Sequence, residues 1–166
     1  MSLSLYLAFP IMILLLVIQT AVLPRLPIWG VVPQLLLLAA VAWGMLEGLE
    51  EGAVWGFIAG FFTDLFSLAP LGSSALAFMI AVIVVALLYR TLPINRLILP
   101  VILAVVATLI WLFVYLLLLR LLGLGGSWQA IDNLPRLLMV HGLLVLPFYW
   151  FFYGLLRALR PRLVEV

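Results

Sequence analysis

Few residues in this chain are able to do chemistry, and Asp64 stands out among them by its setting. It lies in an apolar stretch, four residues after Gly60 and shortly before Pro70, Leu71 and Gly72. A carboxylate in such a stretch is costly unless it faces protein or water, so it marks a site. It falls near the C-terminal end of its own helix, whose dipole opposes a negative charge there. Its donors must come from elsewhere. The candidates are the hydroxyls of Ser73 and Ser74 with nearby backbone N–H groups, Arg25, or an arginine of a partner.

Catalytic constellations do not assemble around it. An intramembrane aspartyl peptidase needs two carboxylates sharing one site, and Asp132, the other aspartate, falls in a loop without a matching motif. His141 is the single histidine. With no carboxylate or serine motif at triad or zinc-site spacing, it reads as a packed helix-interior side chain. The glycines are helical and do not form a phosphate-binding loop. The absence of cysteine excludes disulfides, thiolate chemistry and Cys-based metal sites. The sequence therefore assigns no enzyme activity, no catalytic residue, no cofactor and no metal ligand. Glu47, Glu50 and Glu51 read as a solvated connection. The aromatic run at residues 148–153 reads as lipid-facing and interfacial packing.

The elements that must position Asp64 are apolar helices. The chain has 166 residues, of which 69% are hydrophobic and 8% charged, with a mean hydropathy of +1.43. Soluble domains carry about 25% charged residues. The chain is thus expected to be one polytopic membrane domain over residues 1–166, all-α, with six transmembrane helices. All eight cations are arginine, and a net charge of +2, scattered over loops, gives no footprint for nucleic acid. The spans are expected at about residues 3–23, 31–46, 52–66, 73–89, 97–122 and 136–159. Pro24 and Pro27 stop the first, and Pro33 suits the opening turn of the second. Trp29 suits the headgroup level, Pro147 predicts a kink, and a short surface helix is expected near residues 128–132.

Glycine recurs every fourth residue at 44, 48, 52, 56 and 60. That spacing makes a stripe without side chains, along which a second helix approaches closely. Gly52, Gly56 and Gly60 are the helix-packing candidates. Arginine in short loops orients the chain. With a cytoplasmic N-terminus, Arg90, Arg96, Arg157, Arg160 and Arg162 lie inside, against Arg25, Arg120 and Arg136 outside. The bias favours both termini in the cytoplasm, with Asp64 toward the outer side.

The chain resembles the rod shape-determining MreD family. The resemblance rests on Gln19 with Leu23-Pro24, on Gly30-Val31-Val32-Pro33-Gln34-Leu35, and on the run from Gly52 through Trp55, Gly56, Gly60 and Thr63 to Asp64, followed by Pro70-Leu71-Gly72. It departs at Gln34, where the family commonly has Asp, and at Ser73 and Ser74, where it often has His or another polar residue. The second half is similar only in length and hydropathy. The resemblance implies a non-enzymatic subunit of the bacterial elongation (rod) complex in the inner membrane, scaffolding peptidoglycan synthesis. The implied partners are the single-span protein MreC, RodA with a class B penicillin-binding protein, cytoplasmic MreB, and membrane lipid. Asp64, Pro70, Gly72, Gln19, Pro33 and Gln34 are the expected partner-binding or structural polar set. The family's fold is similar to the substrate-binding subunits of energy-coupling-factor transporters. A vitamin-type binding subunit of a transporter is therefore the alternative reading, although no inverted internal repeat is evident.

Overall fold

The computed structural model describes residues 3–92, 97–124 and 132–159. Its regular structure is helical: α1 Leu3–Val17, α2 Leu35–Glu47, α3 Leu49–Leu65, α4 Ser73–Thr91, α5 Leu99–Leu121 and α6 Leu134–Leu159. A π-helical turn, Ile18–Val22, continues α1. Three helices, α4, α5 and α6, are long and apolar enough to cross a membrane. α2 has 13 residues and α3 has 17, which at 1.5 Å per residue extend roughly 20 and 25 Å.

α2 is the axis of the bundle and packs against all five other helices. Every residue from Leu35 to Met45 is buried. This is the fate of a helix that is apolar on all sides and rich in small residues; Ala39, Ala40, Ala42 and Gly44 let its neighbours close in. α2, α3 and α4 run antiparallel in succession, so α2 and α4 start at the same end.

Two local features depart from the sequence reading. Gly48 alone separates α2 from α3, with a φ of +99°, a conformation that glycine enters without a Cβ clash. Glu50 and Glu51 therefore lie in the first turn of α3 rather than in a connection, where they complement the positive end of its dipole. Pro33 sits just before α2 and not in its first turn. Gln34, with φ −85° and ψ 82°, is still non-helical.

The aromatic run of α6 divides by helical phase. Tyr149 and Phe152 are buried, whereas Trp150, Phe151 and Tyr153 are exposed. Phe152 meets Trp43 of α2 and Trp55 of α3 edge-on, and the two indoles stack with centroids 4.3 Å apart. The Tyr89 and Tyr149 hydroxyls, 2.7 Å apart, join α4 to α6. Pro147 lies inside α6, which continues unbroken. The short helix expected near residues 128–132 falls mostly outside the described residues.

Candidate functional site

The site begins with a geometric problem. A helix leaves its first N–H groups without partners, and α4 starts inside an apolar bundle. Asp64, 2% exposed at the end of α3, solves it. Its Oδ2 accepts the N–H groups of Gly72 at 2.9 Å, Ser74 at 3.1 Å and Ala75 at 3.2 Å. Its Oδ1 accepts the Ser74 N–H at 2.9 Å. The dipole that matters is thus that of α4, whose positive end attracts an anion. Among the described residues, the donors to this carboxylate are backbone groups. The Ser73 hydroxyl instead donates to the Pro70 carbonyl at 2.8 Å, and Arg25 is exposed.

Pro70 and Gly72 shape the turn that presents these donors. The Pro70 carbonyl also accepts the Ser73 N–H at 3.2 Å. Gly72 has a φ of +98°, which aims its N–H back at Asp64 at little steric cost.

α2 poses the same problem at the same end of the bundle and is capped by different chemistry. The Gln19 Oε1 on the π-helical turn accepts the Leu36 N–H at 3.4 Å. The Gln19 Nε2 donates to the Gln34 Oε1 at 2.8 Å. The Gln34 N–H donates to the His141 Nε2 at 3.0 Å. An Nε2 that accepts leaves the proton of the neutral ring on Nδ1, which lies 2.7 Å from the Thr108 Oγ1. The Thr108 hydroxyl donates in turn to the Ala104 carbonyl at 2.7 Å. The chain of bonds runs from α1 through α2 and α6 to α5. His141 is a packed helix-interior side chain with a definite role as a cap. Thr108 escaped the sequence reading, because a threonine in an apolar helix carries no signal of its own. The useful clue was a second polar residue able to serve the lone histidine.

The glycine stripe faces protein. A Cβ at Gly60 would overlap the Ser74 carbonyl and the Ala75 backbone. One at Gly56 would lie 3.0 Å from the Met79 Cα and 3.1 Å from the Phe78 carbonyl. Gly52 abuts Gly44 of α2, where an added Cβ would lie 2.8 Å from the Gly44 Cα. The series therefore serves two junctions: Gly44 and Gly52 close α2 on α3, and Gly56 and Gly60 close α3 on α4. Close approach at Gly60 is also what brings Asp64 under the first turn of α4.

Two apolar grooves flank α6. One, of about 280 Å³, is lined by Ile11, Leu14 and Leu15 of α1 and by Pro147, Phe148, Phe151 and Phe152. The other, of about 390 Å³, lies between α5 and α6 beside Trp29. Trp29 sits with Gly30 at the tip of a tight turn closed by paired Ile28 and Val31 hydrogen bonds of 3.0 Å. Asp132 is exposed, and among the described residues no group of three or more His, Cys, Asp or Glu side chains is placed to hold a metal.

A family model described as rod shape-determining protein MreD matches residues 2–159, nearly the whole chain. No curated protein and no solved structure matches. The Gln19–Gln34 pair, the Gly52-to-Asp64 helix and the Pro70–Gly72 turn that carried the resemblance meet in space as the two capped helix starts, and the chain belongs to the MreD family of rod shape-determining membrane proteins.

Proposed function

We propose that the protein is a non-enzymatic scaffold of the bacterial elongation complex, acting in cell-wall peptidoglycan synthesis by binding MreC in the inner membrane. In this reading all six helices cross the bilayer as one bundle, similar in fold to energy-coupling-factor substrate-binding subunits, with both termini cytoplasmic. RodA and a class B penicillin-binding protein join the assembly, and MreB meets its cytoplasmic side. One observation carries the proposal: Asp64, Gln19, Gln34 and His141 are engaged in holding helix starts. A framework whose buried polar groups are committed internally is suited to presenting a fixed shape to partners.

The test is purification in mild detergent from cells that express the chain at native level, followed by mass spectrometry. The expected result is a single-span protein with MreC character in stoichiometric amount. Recovery of a small molecule together with an ATPase module, and no single-span partner, would establish the transporter-subunit alternative instead.

A further inference from the structure

Arg136 is exposed in the first turn of α6 and rests over the turn that precedes α2. A Cβ added at Gly30 would lie 3.9 Å from its Nη1. α5 and α6 carry no Asp or Glu. Asp132, one turn earlier, is exposed, and among the described residues no salt bridge joins a carboxylate to the guanidinium. A cation in an apolar bundle needs the headgroup layer or a counter-charge.

The turn beneath it is built to hold an aromatic ring in place. Ile28 and Val31 exchange hydrogen bonds of 3.0 Å, which leaves Trp29 and Gly30 as a two-residue loop. Both have positive φ, +51° at Trp29 and +79° at Gly30, as the tightest hairpin turn requires. Bulky side chains rarely enter that region, and residues held there cluster at functional sites. The result is an indole 61% exposed that lines the groove between α5 and α6. Trp29 and the Arg136 guanidinium therefore meet on one turn, at one end of one groove.

The other walls of that groove, about 390 Å³ in volume, are Val101 and Val105 of α5 with Leu138, Met139, Gly142 and Leu143 of α6. Arg136 and Leu143 are seven residues apart on α6, about 10 Å along the axis. A second transmembrane helix closes in where small residues bare the backbone. Here the small residue is Gly142, and Val101 already covers it: an added Cβ would lie 3.3 Å from the Val101 Cγ1. The remaining walls are branched or long side chains, which a flexible acyl chain can follow and a rigid helix cannot approach closely. A cation at one end of an apolar channel matches an anionic amphiphile.

We propose that the groove between α5 and α6 binds an anionic phospholipid. One acyl chain lies along Met139, Gly142 and Leu143, and the phosphate sits on the Arg136 guanidinium. The fork of arginine matches phosphate oxygens, and the first turn of α6 adds the positive end of its dipole. Trp29 stands at the headgroup level, where indoles are favoured.

The test is native mass spectrometry of the full chain in mild detergent, titrated with phosphatidylglycerol or with phosphatidylcholine of identical acyl chains. The unaltered chain should retain phosphatidylglycerol several-fold better. Arg136→Gln should lower that retention to the phosphatidylcholine level. Arg157→Gln, which removes the same charge from the other end of α6, should leave it unchanged. Met139→Trp, which fills the groove from an exposed position, should lower retention of phosphatidylglycerol several-fold. Equal retention of the two lipids by the unaltered chain would overturn the proposal, and that comparison needs no variant to fold. An equal loss in Arg157→Gln would overturn it as well, since attraction would then follow net charge. Full retention by a folded Met139→Trp would show that the acyl chain lies elsewhere and would also overturn it. The readout needs no rod-complex partner, so it stands or falls separately from the scaffold proposal.

Discussion

At Asp64, charge and hydrogen bonding are separable. Asp64→Asn keeps one acceptor oxygen and replaces the other with a donor that faces the Ser74 N–H. Hydrogen bonds to a charged acceptor are worth about 1.5–3 kcal/mol, so the variant should fold with a lower midpoint in thermal unfolding. Asp64→Leu leaves the N–H groups of Gly72, Ser74 and Ala75 without their acceptor. At about 1–3 kcal/mol per buried orphan group, folded yield in detergent should fall sharply. If Asp64→Leu folds as wild type does, the cap is dispensable. His141 belongs to the same class of residue. His141→Ala removes the acceptor for the Gln34 N–H and opens a cavity, for an expected loss on the order of 3 kcal/mol. Thr108→Val keeps the volume and removes only the partner of Nδ1, so its loss should be nearer 1 kcal/mol. Cell-shape complementation at low temperature should survive both changes, and its failure in a folded variant would give His141 a role beyond capping.

Among the elements, the α3–α4 interface is the least forgiving. Even Gly60→Ala should destabilise strongly, because the new Cβ meets rigid backbone of Ser74 and Ala75. Gly56→Ala should cost less, since its contacts of 3.0–3.2 Å ask for a smaller shift. Gly154 provides the control. It lies in α6 with no neighbour within 4 Å, so Gly154→Ala should gain up to about 1 kcal/mol from helix propensity. Unfolding in a detergent series ranks the three variants. An order in which Gly60→Ala is as stable as Gly154→Ala would mean that α3 and α4 do not approach as closely as the structure places them.

For the whole molecule, the test is topology. If all six helices cross, as proposed, both ends lie on one side, and the arginine bias makes that side the cytoplasm. Reporter fusions at Val166 and after Arg96 should read as cytoplasmic, and a fusion near Ser127 as external. An external C-terminus would rule out six crossings.

Composition determined the membrane class, and the length of the apolar runs determined the helical architecture, because backbone in lipid is satisfied only in helices or a closed barrel and barrel strands are about half as long. Helix boundaries were legible where Gly and Ser punctuate, as at Ser73. The glycine period gave the close interfaces, and the isolation of Asp64 marked it as a site. The tertiary structure decided what these residues bind. Asp64 serves a helix other than its own, and Gln34, His141 and Thr108 are far apart in the chain yet bonded in sequence through space. It also put α2 at the centre. In a membrane protein every helix is apolar, so hydropathy does not tell core from lipid face. Only the packing of small residues against other helices, and the capping of orphan backbone groups by distant side chains, makes that distinction.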